Sequence, residues 1–307
     1  MINYIKQAGP LLRKNKRLVF FYFTLSLLLS LIVVEPLRSF LKEYLGSSMM
    51  SARLESGLDM DFLTEFLFHS PAFLYVFFPL FFITLIAYML LNLLFSAGTI
   101  SLFLQDKGYD SAFFWGNAGR YFWRFFRITL WSLLLLLILF GLSFLLESLR
   151  TVWYGKDPYR DIIHTWAVSR IVLRFLILGF VYMVMDYARI LTVQQDETRM
   201  YRVVFSAIVF VLRNFIRTVP IALIYSLSGL LFLFAYQYIS PPILYKAGGV
   251  TVLLVFLLQQ IVILLRMFLK VSLYASETLL FKDRHAFAIK KKYLKDLSLK
   301  PVVPPAL

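Results

Sequence analysis

"GRYFWRFFRITLWSLLLLLILFGLSFLL" runs from Gly119 to Leu146 and joins two unlike halves. From Ile128 to Leu146 no side chain is charged, and as a helix the run is long enough to cross a hydrocarbon core of about 30 Å. Just before it, Arg120, Arg124 and Arg127 alternate with aromatic rings. A barrel strand would need polar residues at every second position, and this Leu-rich run has none of that pattern. Its backbone must therefore satisfy its own hydrogen bonds as an α-helix.

The same reading extends along the chain. Apolar stretches near Leu18–Val34, Ala72–Phe95, Ile128–Leu146, Ser169–Tyr187, Val219–Tyr238 and Val250–Tyr274 predict six spans. Composition agrees: 307 residues, 60% hydrophobic and 16% charged, with a mean hydropathy of +0.76, are too apolar for an ordinary soluble chain. The fold class expected is all-α and polytopic, with residues 1–285 as a membrane domain and 286–307 as a basic cytoplasmic tail that hides no soluble domain. "VVEPLRSF", not a small-x-small cleavage site, follows the first run, which predicts an uncleaved span. Pro79 falls inside the second span and should kink it, whereas Pro220 is expected to open the fifth. The absence of Cys excludes thiolate catalysis, disulfides and Cys-ligated metals.

A net charge of +15 could suggest nucleic acid, so its distribution decides. Lys6, Arg13, Lys14, Lys16 and Arg17 precede the first span, and Lys107, Arg120, Arg124 and Arg127 lie between the second and third. Arg189, Arg199, Arg202, Arg213 and Arg217 lie between the fourth and fifth, and Lys282, Arg284, Lys290, Lys291, Lys292, Lys295 and Lys300 follow the sixth. Glu35–His69, Glu147–Asp161 and a short loop with Lys246 face the other way. The positive-inside rule then predicts both termini in the cytoplasm of a bacterial-type inner membrane. Arg interleaved with aromatics would suit base stacking, but each such run abuts a span, so nucleic acid is not expected as a partner.

The basic stretches also correspond to one another. Gln105-Asp106 and Gln195-Asp196 lie 90 residues apart (195 − 105), and each is followed by a basic, aromatic-rich segment ending in F-x-R. At 100° per residue, Arg120, Arg124 and Arg127 share one face, with Phe114, Ala118, Tyr121, Phe122 and Phe125 on another. In the second stretch Arg199, Arg202, Ser206, Arg213 and Arg217 oppose Val203, Ile208, Val211 and Phe215. Both predict amphipathic helices at the membrane interface, their aromatic sides toward lipid, and Lys6, Arg13 and Arg17 mark a third candidate. "KNKRLVF", "WRFFRITL" and "RNFIRTVP" align through Arg17, Arg127 and Arg217, while Asp106, Asp196 and Asp283 align at the exits of the even-numbered spans. The predicted unit is an interfacial helix followed by a helical hairpin, used three times.

"SAGTISLFLQDKGYDSAFFWGNAGRYFWRFFRITL" and "DYARILTVQQDE…AIVFVLRNFIRT" resemble bacterial six-span inner-membrane proteins that carry no assigned activity. That group is similar in style to the membrane domain attached to some glycerophosphodiester phosphodiesterases. The resemblance covers most of the chain and implies a six-helix inner-membrane protein, and no phosphodiesterase domain accompanies it here. Where such proteins tend to pair two glycines at the exit of the second span, this chain has Ala97-Gly98.

Candidate sites are few. Arg170 and Arg174 share a face inside the fourth span, where a central Arg costs about 2.5–3.5 kcal/mol to insert. Either they line an outward-opening cavity that holds an anionic headgroup or substrate, or they snorkel or pair with Glu147, Asp157 or Asp161. Gln259 and Gln260, near the middle of the sixth span, need partners from another helix or from a ligand. Asp186 and Arg189 are spaced for a local ion pair, and Glu277 with Arg266 and Lys270 is read as a solvated cluster at the inner interface. Asp61, Glu65 and His69 recur every fourth residue and could ligate a metal, but Asp61 also suits an N-cap and Glu65 a first helical turn, so no metal is expected. No G-x-S-x-G, Walker A, H-E-x-x-H or G-x-G-x-x-G motif occurs.

The leading expectation is a non-enzymatic helper or scaffold without a cofactor. Its partners would be anionic membrane lipid, gripped through Arg13, Arg17, Arg120, Arg124, Arg127, Arg202, Arg213 and Arg217, or another membrane protein. The alternative is a transporter or permease subunit built around Arg170 and Arg174. A lipid-acting enzyme comes third and needs Asp59, Asp61, Glu65 and His69 to converge. A polar cavity within the bundle would favour transport, and a solidly packed bundle the scaffold.

Overall fold

The computed structural model describes residues 2–46, 60–69, 71–155, 159–244 and 249–298. Asp59, Asp157, Lys246 and the Pro-rich end of the tail lie outside them. The described residues form nine helices: α1 (Ile2–Lys14), α2 (Arg17–Leu45), α3 (Met60–His69), α4 (Pro71–Gln105), α5 (Ser111–Tyr154), α6 (Arg160–Gln195), α7 (Met200–Arg213), α8 (Phe215–Leu244) and α9 (Gly249–Ser298). Six of these, α2, α4, α5, α6, α8 and α9, are long and apolar enough to cross a membrane, and each contains one of the expected spans. The chain is a multi-pass helical membrane protein.

Asparagines stand at two of the helix junctions. Asn15, buried between α1 and α2, donates from Nδ2 to Leu11 O (3.0 Å) and to Lys107 O (3.2 Å), so its side chain ties the joint to the end of α4. Asn214 stands between α7 and α8, with Nδ2 on Phe210 O at 3.0 Å. Asn117 makes the same bond to Phe113 O at 2.8 Å inside α5, which nevertheless runs unbroken from Ser111 to Tyr154. The expected interfacial helix before the third span is thus the first turns of the spanning helix itself. α8 likewise begins at Phe215, more than a turn before Pro220, so this proline does not open its helix.

Among the described residues, the non-glycine positions with positive φ are Asp106 (51°) and Asp196 (50°), which directly follow α4 and α6. At the first, Lys107 N reaches back to Leu102 O and Asp106 N to Phe103 O, the paired bonds of a left-handed helix stop. A short polar side chain tolerates this conformation better than a branched or bulky one.

α4, α6 and α9 pack on one another at the centre. Around them α2 lies against α4 and α9, α5 against α4 and α6, and α8 along α9. Gly98 lets α4 approach α5: a Cβ there would sit 2.5 Å from Phe114 Cε2, and Phe114 is fully buried. Lys14 (3.7 Å from Asp106), Tyr4 (2.5 Å from Asp283) and Lys282 (2.9 Å from Phe103 O) join α1, the end of α4 and α9 at one end of the bundle. At the opposite end Phe62 and Phe66 of α3 pack with Phe73 against Phe40 and Tyr44 of α2.

The amphipathic segments turn their apolar faces to protein. Phe114, Ala118, Tyr121 and Phe125 are buried in the bundle, as are Met200, Val203, Val204, Ala207 and Val211 of α7. The expectation that these aromatic sides face lipid is corrected, because close-packed helices give them more contacts than fluid chains would. Trp115, Trp123, Tyr201, Phe205, Leu212 and Phe215 are exposed.

Candidate functional site

On α9, Lys270 and Glu277 are two turns apart on one face, and on α6 Asp186 and Arg189 are neighbours at i, i+3. Packing of the central helices makes these faces interior: Asp186 is 0% exposed, Glu277 1% and Arg189 5%. Arg189 donates from Nη1 to Asp186 Oδ1 at 3.2 Å, places Nη2 3.4 Å from Met185 Sδ, and lies 5.8 Å from the Phe125 ring centre. Lys270 Nζ donates to Asn92 Oδ1 of α4 at 2.7 Å and sits 4.8 Å from the ring centre of Tyr22, whose hydroxyl is 3.4 Å from Thr99 Oγ1. Cations at this depth persist only with partners, and here Arg189 has a carboxylate and a ring while Lys270 has an amide and a ring.

Beside this cluster lies a cavity of about 510 Å³ between α2, α4, α6 and α9. Ser26 and Ser30, Tyr88 and Asn92, and Tyr182 with Gln260 provide polar wall, and Arg189, Arg266 and Lys270 provide three cations. No Asp or Glu is among the lining residues. Asp186 and Glu277 stand behind the wall, and Asp186 Oδ2, Glu277 Oε2, Arg189 Nε and Gln260 Oε1 are buried without a hydrogen-bond partner. Such atoms call for a bound group or water. A second cavity, of about 440 Å³, adjoins the first and shares Tyr182, Arg266 and Lys270 with it. A third, of about 630 Å³, is an apolar cleft between α1, α2 and α9 with Arg13 and Lys16 on its rim.

The residues singled out from the sequence fall differently. Gln260 lines the first cavity, whereas Gln259, one position earlier, is exposed on the outside of α9. Arg170 pairs with Glu147 Oε2 at 2.7 Å, and Arg150 takes Oε1 of the same carboxylate at 2.5 Å. Arg174 is exposed, and neither Arg170 nor Arg174 lines the three cavities. Asp186 and Arg189 do pair locally. Glu277 with Arg266 and Lys270 is not a solvated cluster, because α9 turns Glu277 into the helix contact. The missed signal was Asn92, the one amide in the second apolar stretch.

At the basic end, Arg13, Arg17, Arg120, Arg127, Arg202, Arg213 and Arg217 are exposed and Arg124 is half-buried. Asp196 accepts from Arg120 at 2.6 Å and also from Arg124, and the Arg124 hydrogen bond foremost holds its carboxyl below the usual range. Glu197 is lowered as well, by the backbone N–H groups of Arg199 and Thr198. On α3, His69 Nδ1 lies 3.0 Å from Glu65 O, and among the described residues no group of three or more His, Asp or Glu is gathered as a metal site requires. Comparison with protein-family models, with curated proteins and with solved structures finds no match to the chain.

Proposed function

We propose that this membrane protein is a non-enzymatic binder of an anionic ligand, held inside its helix bundle. The observation that carries the reading is one cavity lined by Arg189, Arg266 and Lys270 with no Asp or Glu on its wall. Arg189 is paired with Asp186, but Arg266 and Lys270 also turn toward the cavity, and charged groups inside a membrane helix bundle are costly and mark functional sites. Guanidinium and ammonium groups on facing helices suit a phosphate or carboxylate, which takes charge-assisted hydrogen bonds from both. The neighbouring hydroxyls and Gln260 suit hydroxyl groups on the same ligand.

The rival reading as a transporter or permease subunit is favoured by depth. The cavity extends along α9 from Lys270 to Gln260, roughly 15 Å of helical rise. It would then run through Arg189, Arg266 and Lys270 rather than Arg170 and Arg174. Release of a loaded anion from sealed vesicles, lost in Lys270→Met, would favour this rival over simple binding.

Both readings place the chain in a bacterial-type inner membrane with the basic end in the cytoplasm, supported by the gathering of α1, α7 and the start of α5 with their cations. There the exposed arginines and the rim of the α1 cleft hold anionic lipid, each at about 1 kcal/mol and in a salt-sensitive way. Native mass spectrometry after gentle extraction tests the central reading. A retained anion that disappears in Lys270→Met is the expected result, and identical spectra for the two proteins would overturn it.

A further inference from the structure

Resting on that reading, we infer that the ligand is an anionic membrane lipid whose headgroup occupies the charged cavity and whose acyl chain leaves between α6 and α8. The second cavity supplies the path. It shares Tyr182, Arg266 and Lys270 with the first, and Leu230, Leu233 and Leu269 make it apolar. Arg266 and Lys270 suit a wall between unlike spaces, since each carries a charged head on an aliphatic stem.

The packing of the outer helices places this path at the bundle's side. α2 and α5 each lie against two of the central helices, whereas α8 packs along α9 and makes no comparable contact with α6. The cleft occupies that gap, and Leu230 and Leu233 on its rim are 48% and 45% exposed at spanning depth. Its mouth therefore faces hydrocarbon. A chain lying there stays in an apolar medium while its headgroup reaches the cations, so the lipid need not pass its chain through a polar cavity or its charge through the bilayer centre. A tail-less anion would use the first cavity and leave the second without a role.

The full chain in phosphatidylcholine nanodiscs tests this, titrated with oleoyl lysophosphatidic acid and with glycerol phosphate, which share a headgroup and differ by the chain. Gly229 lines the cleft, and a Cβ there meets only Leu269 Cδ1, at 3.9 Å, so Gly229→Leu fills the cleft without a backbone clash. Binding of the lysolipid, read by native mass spectrometry, should fall about tenfold or more in Gly229→Leu, with glycerol phosphate unchanged. Leu233→Phe, one turn along α8, should act in the same direction, and an unchanged thermal midpoint shows that either variant is folded. Lysolipid binding equal to wild type in both folded variants overturns the acyl path and leaves the charged cavity standing. Loss of both ligands in folded Gly229→Leu overturns the path too, because a chain-filling change must spare the bare headgroup. If Lys270→Met alters neither ligand, the headgroup reading itself fails.

Discussion

The ammonium of Lys270 on α9 donates to Asn92 Oδ1 on α4 at 2.7 Å, a bond between spans 178 residues apart in sequence. Asn92→Leu would remove the acceptor and leave an ammonium half-buried beside the Tyr22 ring. The expected loss is about 1–3 kcal/mol, the usual cost of stranding one partner of a buried hydrogen bond. Thermal unfolding in detergent measures it. Lys270→Met added to Asn92→Leu should regain most of the loss, and full stability of the single variant would show that Asn92 does not hold Lys270.

Gly98 and Phe114 set how closely α4 and α5 approach. Gly98→Ala would drive a methyl group to 2.5 Å from a ring with no room to move, at a cost of about 1–3 kcal/mol. Phe114→Leu in the same chain should restore part of it. Equal melting temperatures for wild type and Gly98→Ala would refute the steric account.

Asp196 links stability to pH. Its carboxyl is lowered by Arg124 and Arg120, so its contribution is fully present above the unfolded pKa of about 3.9 and is lost as pH falls through the lower folded value. Asp196→Asn should thus be slightly less stable at neutral pH, by less than about 1 kcal/mol given its exposure, and the difference should vanish on strong acidification. A difference that grew toward acid would have the wrong sign.

Glu147 is shared by Arg150 and Arg170, and all three are at most 33% exposed in their side chains. Glu147→Gln leaves two cations sharing a neutral amide, for an expected loss of about 1–3 kcal/mol. Arg174→Leu, at an exposed position one turn from Arg170 on α6, should alter stability by no more than about 0.5 kcal/mol and leave ligand binding untouched. Loss of a retained anion in Arg174→Leu would return the binding site to the outer half of α6.

Six spans, the helical class and the gathering of cations into four segments are local properties of the chain. Runs such as Ile128–Leu146 are about as long as the hydrocarbon core is thick whatever their neighbours, so the sequence by itself determined them. It also aligned Asp106 with Asp196 through the Gln-Asp pairs, and both stand just past a helix end, whereas Asp283, aligned with them, lies inside α9. Only the tertiary structure decided which polar groups meet. Asn92, Arg189, Lys270 and Glu277 lie on three helices, and nothing in their spacing tells that α4, α6 and α9 pack at the centre. Rotation of a helix by one residue is 100°, enough to send Gln260 into the cavity and Gln259 away from it, and that rotation is set by side-chain packing between helices. The same physics withdrew Arg170, because a carboxylate on α5 lay within its reach.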